Sequence, residues 1–486
     1  MLRAPSSILI AAALVLSGCN PRPDDVPVVV SAIGGPARLV DPARGNPSLA
    51  SSLLTDATAQ GLVRFDANGQ VEPGLAERWI VIDDGRSYIF RLRSAEWADG
   101  SPVTAEQVVA RLRKAIAANA RNPVTPYLTA IDEIVEMTPQ VIEVRLSRPR
   151  PNLLTLFAHP ALAIHGAGTR IGSGPFRITE RGPDGFVLQP AFDPARASDG
   201  AEGPAPEDFV RLRGERAAMA ILRFANRQSD LVAGGSFADW PLVELGNVAP
   251  NSVRIDPAVG LFGLAIVERS GFLADAANRA AIAMAIDRAA LTTAFRPQWA
   301  AIETVLPAQL DSANAPALPD WTASNMTERR AVAQARVAIW RAANPVAPPL
   351  RLALPEGPGS NLVWGHVAEA FAAIGLALRR VDIGEDADLR LIDAVAPYES
   401  ARWFLVTACR LCSASTIAAI DAVRTAPDAA ARSALLAEAD IAVARETPFI
   451  PIAPPLRWSL VAPRLSQWQA NPYAWHPLNR LRSEPN

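Results

Sequence analysis

Three tight turns between Phe65 and Ser101 constrain this chain more than any other feature. Leu62-Val63-Arg64-Phe65 runs into Asp66-Ala67-Asn68-Gly69-Gln70, and an Asn-Gly pair after an alternating run is a strong hairpin signal. Ala76 to Ile82 and Tyr88 to Leu92 alternate on either side of Asp83-Asp84-Gly85, which predicts a second hairpin. Asp99-Gly100 closes a third turn within the stretch EWADGSPVTAEQVVARL. Thr104 then stands as an N-cap with Gln107 three residues on, a capping box. Val108, Val109, Leu112 and Ile116 share one face of the helix that follows. Each polar residue of the stretch has a local structural task, and a metal site needs more oxygen ligands at close spacing.

The rest of the chain mixes both periodicities. Val28 to Ile33 is a short apolar run ended by Gly34-Gly35 and predicts a strand. Leu53 to Leu62 has helical spacing that ends at Gly61. Strands and helices interleave throughout, so the class is α/β or α+β. At 486 residues the chain is too long for one core and predicts two or three domains.

The N-terminus reads MLRAPSSILIAAALVLSGC. Arg3 supplies a positive start, and Ile8 to Leu16 is apolar but far short of the ~20 residues of a spanning helix. Leu16-Ser17-Gly18-Cys19 resembles the lipobox of bacterial lipoproteins, in which the cysteine is lipidated and becomes the new N-terminus. An ordinary secretory signal with an incidental cysteine is the alternative. Residues 1–18 are thus expected to be a signal peptide and 19–27 a lipidated, proline-rich tether. The location implied is extracytoplasmic, anchored by lipid alone.

Export bears on Cys409 and Cys412, set in Cys-Arg-Leu-Cys. Outside the cytosol two such thiols most simply form one short-loop disulfide. Redox or metal chemistry and two free thiols are the alternatives; a zinc site needs about four ligands, and no paired Cys or His stretch supplies the others.

Net charge is −2 and no basic stripe appears, which argues against a nucleic-acid partner. No catalytic set stands out among only four histidines, His159, His165, His366 and His476. Gly234-Gly235-Ser236-Phe237-Ala238 is similar to a nucleophile elbow but lacks its last glycine. No Walker loop is present. Neither an enzymatic activity nor a cofactor is expected.

The ordered blocks resemble a known family. Pro73-Gly74-Leu75-Ala76, Trp79, Asp83-Asp84-Gly85, Phe90-Arg91-Leu92-Arg93, Trp97-Ala98-Asp99-Gly100 and Thr104-Ala105-Glu106-Gln107-Val108 resemble the leading block of the family 5 solute-binding proteins of ABC transporters, the peptide/nickel-binding family. Ile171-Gly172-Ser173-Gly174-Pro175-Phe176 is similar to its "GTGPY" turn, and Gln228 to Val232 to its "G-x-x-D" strand. Asn278-Arg279 with Ala283 to Leu291 resembles its "R-x-A-x-x-x-A-I-D-R-x-x-L", and Pro448 to Ile452 its closing strand. Any one block is weak; their joint order is strong.

The resemblance implies an α/β, two-lobed periplasmic binding protein fold, type II-like, with an extra subdomain on lobe I. Lobe I is expected at 28–48, 167–254 and 455–486, the extra subdomain at 49–166 and lobe II at 255–454, with hinges near Arg254 and Pro454. The function implied is a monomeric receptor that closes on a peptide or other small solute and delivers it to ABC permease subunits with their ATPases. An exported hydrolase, or a transport-independent sensor or chaperone on the same fold, are the alternatives.

Relatives pair the peptide α-amine with an acidic residue in "D-x-x-x-x-x-W-x-x-DY-x-x-P". Here Asp388, Tyr398 and Phe404-Leu405 match, but Pro397 stands at the aspartate and Ala394 at the tryptophan. Either Asp393 or Glu399 takes the role from a shifted place, or the ligand has no free α-amine. Asn46, Tyr127 and Trp403 complete the expected ligand contacts, Asn46 and Tyr127 by position in cleft-facing loops. For Trp403 and Trp240 ordinary packing is favoured over ligand contact.

Overall fold

A computed structural model describes residues 22–41, 45, 47–165, 172–183, 185–191, 203–308 and 310–482. Cys19 and Asn46, and with them the lipidation and loop expectations they carry, lie outside the described residues.

The predicted strand Val28–Ile33 is the middle of a seven-stranded sheet. It runs parallel to Val210–Glu215 on one side and Leu231–Ser236 on the other. Asp230 fixes its register: this carboxylate is 1% exposed and its Oδ2 accepts the Val29 amide at 2.8 Å. Gly185–Pro190 and Phe176–Gly182 extend one side of the sheet, Arg457–Val461 and Val253–Ile255 the other. A second sheet has five strands, in the order Leu378–Asp382, Leu350–Leu354, Leu389–Val395, Gly260–Ile266, Phe449–Ala453. Gly260–Ile266 is buried at every position, as the unbroken apolar run GLFGLAI requires of a strand covered on both faces. The result is a mixed α/β, two-lobed fold.

The chain passes between these sheets twice, from Ile255 to Gly260 and from Ala453 to Arg457. Aromatic rings wrap both passages. Phe237 packs on Phe262 at 4.8 Å and Phe262 on Trp299 at 5.0 Å. The Trp299 indole donates to the Pro454 carbonyl at 2.8 Å, and the Trp458 indole to the Ser236 carbonyl at 2.9 Å. Trp240 is buried against Trp458, so it packs beneath a passage.

The predicted hairpins build a four-stranded sheet, Ala76–Ile82, Ser87–Leu92, Val141–Leu146, Ile131–Thr138. Asp83, Asp84 and Gly85 all have positive φ (53°, 52° and 82°), a conformation open to Gly and tolerated by Asp. Helix Ala105–Ile116 buries Val108, Val109 and Leu112 in one cluster with Tyr88, Phe90 and Val144 of this sheet. Its capping box forms as read, with Gln107 N donating to Thr104 Oγ1 (3.3 Å) and Thr104 N to Gln107 Oε1 (3.2 Å). Such a cap contributes about 1 kcal/mol.

The helix expected over Leu53 to Leu62 instead spans Leu49–Thr58. Ser48 caps it five residues upstream of the apolar pattern, and Ala59 is already extended. The block Gly172-Ser173-Gly174 explains why it stops there. A Cβ on Gly172 would lie 2.1 Å from the Thr58 carbonyl oxygen, and one on Gly174 2.4 Å from the Thr58 carbonyl carbon. Only glycine lets this turn lie against the helix end.

Candidate functional site

The segment 49–165 meets the stretch after Leu389–Val395 along one seam. Tyr127, at the end of the turn Thr125–Tyr127, sets its ring edge-on to Tyr398 at 5.5 Å. Trp403, on helix Ala401–Ala408, is 3% exposed and hydrogen-bonds the Tyr127 side chain. Tyr398 is 1% exposed, and the Arg150 guanidinium lies over its ring at 4.9 Å. Burial raises the Tyr127 hydroxyl above its ordinary pKa, against the opposing effect of the Trp403 hydrogen bond. Three of the expected contacts, Tyr127, Tyr398 and Trp403, thus come together from both sides of one seam.

Glu399 lies at the edge of this cluster. Its side chain is exposed, while its carbonyl accepts the Asn152 amide at 2.7 Å across the seam. Burial, then Glu399, pushes the nearby Tyr473 hydroxyl up to about 12. Tyr473 stacks on Phe65 at 5.0 Å.

Asp393 stands apart from the aromatic cluster. It ends an ion pair that joins the two sheets: Arg457 Nη1 donates to both carboxylate oxygens (2.8 and 2.9 Å), and Nη2 to the Asp393 carbonyl (3.3 Å). The side chains are 17% and 16% exposed. Burial raises the Asp393 carboxyl and Arg457 lowers it, with burial prevailing. The carboxylate considered for an α-amine is therefore already engaged by an arginine.

A cavity of about 230 Å³ is lined by Ser52, Thr55, Pro123, His159 and Pro160, among others. Burial lowers His159 to about 4, so the imidazole is neutral. Its Nδ1 accepts the Ala161 amide at 3.1 Å, which leaves Nε2 as the N–H. Sequence reading missed His159, Arg150, Asn152 and Arg457. His159 had one signal: a histidine just before Pro160 is placed to cap a turn.

Cys409 and Cys412 are disulfide-bonded, with Cα atoms 5.4 Å apart, at the far end of the Trp403 helix. The loop they close leads into Ser413, whose amide donates to both Glu446 carboxylate oxygens (3.2 and 3.1 Å). Burial works to raise the Glu446 carboxyl, but Ser413, Thr416 and the Arg269 guanidinium prevail and hold it at about 2. Its folded value lies below the ordinary 4.5. The stability it contributes is then complete above that value and lost as pH falls toward 2. Glu446→Gln is accordingly expected to lower the Tm at pH 7, with the gap to wild type closing as both are melted at successively lower pH. A gap unchanged down to pH 2.5 would remove the carboxylate from this account.

Among the described residues, no group of three or more His, Cys, Asp or Glu is placed to hold a metal, and no helix is long and apolar enough to cross a membrane.

Two lobes are joined by two passages and meet along one seam. The chain belongs to the bacterial extracellular solute-binding proteins, family 5: the model of that family's middle part matches residues 70–337, more than half of the sequence. It is 32% identical over 141 residues to the probable deoxycholate-binding periplasmic protein YgiS of Escherichia coli (strain K12), a match covering 25% of this chain and 26% of that protein. The chain thus spans about a quarter of the length of that curated relative. Its fold is similar to Haemophilus influenzae OppA in complex with RPPGFSPFR, with a TM-score of 0.78 at 16% identity over 94% of this chain and 99% of the other. It is equally similar to the Escherichia coli murein tripeptide binding protein MppA, with a TM-score of 0.78 at 19% identity over 93% and 97%.

Proposed function

We propose that this protein is the lipid-anchored, extracytoplasmic receptor of an ABC importer, and that it encloses a small solute between its lobes and delivers it to the permease. The observation that carries the reading is the meeting of Tyr127 with Tyr398 and Trp403 across the seam. Aromatic faces from two bodies that move relative to one another enclose a ligand and close on it. Lobe I is assigned to 28–48, 167–254 and 455–486, the extra subdomain to 49–166 and lobe II to 255–454. The short passages beside Arg254 and Pro454 serve as hinges.

Peptide is the first ligand class to test, supported by the peptide and murein tripeptide named for the structural neighbours. The deciding experiment is mass spectrometry of solute that co-purifies with the exported protein. The solute found should raise the Tm on re-addition, because binding the closed state alone adds about 2.7 kcal/mol at a hundredfold excess over Kd. If protein from the native compartment carries no small molecule and no solute class shifts its melting, the receptor reading fails.

The anchor rests on Leu16-Ser17-Gly18-Cys19. Cys19→Ser is expected to move the protein from the membrane pellet to the soluble extracytoplasmic fraction. Wild-type protein without lipid on Cys19 by mass spectrometry would count against the anchor.

A further inference from the structure

We propose that the seam beside Tyr398 is an oxyanion site, so that the solute docks a carboxylate or phosphate group there rather than an amine. This deepens the receptor reading and rests on it. The side chains come from both bodies. Arg148 and Arg150 lie just beyond strand Val141–Leu146, whereas Arg402 is on helix Ala401–Ala408 and Arg424 on the turn Val423–Thr425.

Two of these guanidiniums meet head to head. Arg148 Nη2 and Arg424 Nη2 both donate to the Thr129 hydroxyl oxygen, at 3.4 and 3.1 Å. Thr129 is exposed, so a solute can reach this point. The other two arginines flank it with unused capacity: among the described residues, neither Arg150 Nε nor Arg402 Nε has a hydrogen-bond partner. Compensating charge is scarce. Asp421 takes Arg402 at 3.1 Å and Arg424 at 3.9 Å, and Asp311 takes the neighbouring Arg432 at 3.1 Å. Burial first, and neighbouring arginines second, hold both Arg148 and Arg402 below the ordinary guanidinium pKa.

Cations gathered across a closing seam oppose closure. A planar oxyanion reverses the sign, because it accepts the forked donors of several guanidiniums together. The site is therefore complete only when the lobes are closed and an anion is between them. Pro397 fits this polarity. It brings neither a charge nor an N–H to the position where the resemblance places an amine-binding aspartate. Arg150 over the Tyr398 ring puts a cation at that same tyrosine.

The test titrates the full exported chain with citrate and, separately, with inorganic phosphate, at constant ionic strength set by sodium chloride. Melting temperature and small-angle scattering are read together. A saturable rise in Tm with a fall in radius of gyration is expected for at least one oxyanion, and which one responds separates carboxylate from phosphate recognition. Arg148→Gln with Arg424→Gln should weaken that response roughly ten- to hundredfold. In low salt without anion the double variant should melt no lower than wild type, because a repulsion has been removed; a merely structural role would lower it. Citrate and phosphate acting no differently from chloride, or a double variant that responds as wild type does, would overturn the proposal. Closure by an uncharged co-purified solute, with both oxyanions inert, would overturn the polarity alone. Failure of every solute to close the lobes would overturn the receptor reading with it.

Discussion

Replacing Arg288 by leucine is expected to lower the unfolding free energy by about 4 kcal/mol and the Tm by about 4 °C. Arg288 is 4% exposed at the start of helix Arg288–Phe295. Its guanidinium donates to the carbonyls of Ala283 (3.0 Å) and Ile286 (3.3 Å), where helix Ala276–Ala285 ends, and to Pro451 (2.7 Å) in the five-stranded sheet. The last carbonyls of a helix have no partner within it, so a buried end needs donors from elsewhere. Without the arginine, three buried acceptors lose a partner at about 1–3 kcal/mol each, partly offset by local relaxation. Glu303 keeps its bond to Arg329. Burial lowers Arg288 to about 10, which still leaves it charged at neutral pH. Arg288→Lys should recover part of the loss, since it restores the charge but not the fork. Differential scanning calorimetry decides: a drop below about 1 °C for the leucine variant would mean that the carbonyls are satisfied in another way.

This arginine shows how far the sequence could be read. The block of Asn278-Arg279 and Ala283 to Leu291 was recognisable by resemblance, but its physics was not. Arg279 serves a second helix end by donating to the Glu446 carbonyl, 167 residues away, at 2.9 and 2.6 Å. No local pattern announces such a partner. Hairpins and caps were legible because turn chemistry and capping are local: Asp83-Asp84-Gly85 and Thr104 with Gln107 carry their own instructions. The first helix was misplaced because apolar spacing locates a buried face and not an end; Ser48 and the glycines at 172 and 174 set its ends. At the candidate site, Tyr398 was named from a motif match and Tyr127 and Trp403 from position, and their mutual contact lay beyond inference from one sequence. Arg148 and Arg150 carried no signal in the sequence, since their meaning depends on Arg402 and Arg424 lying opposite.

Breaking the ion pair of Asp393 and Arg457 from either side should cost more than removing it whole. Asp393→Asn or Arg457→Gln alone leaves one mostly buried charge without its partner, at about 3 kcal/mol. Asp393→Leu combined with Arg457→Met replaces the pair by apolar groups of similar length, and is expected to stay within about 1 kcal/mol of wild type. The double-mutant cycle then yields a large coupling, as contacting residues do. The pKa direction agrees. Burial raises the Asp393 carboxyl above its ordinary 3.8 even with Arg457 against it. Stability from the protonated form is thus present below 3.8 and lost as pH rises through the higher folded value, so at neutral pH the pair stabilises less than its geometry suggests. Its position gives it a consequence for binding. Arg457 follows the second passage between the sheets, and Asp393 lies opposite Phe262 on the middle strand of the other sheet. An ammonium group seeking Asp393 must first displace a guanidinium that holds both carboxylate oxygens. N-acetylated peptides should therefore shift the Tm as much as free-amine peptides do, whereas Arg457→Gln should favour the free amine by freeing its acceptor. If free-amine peptides act on wild type and acetylated ones do not, Asp393 or Glu399 receives the amine after all, and Arg457 is a gate rather than a fixed partner.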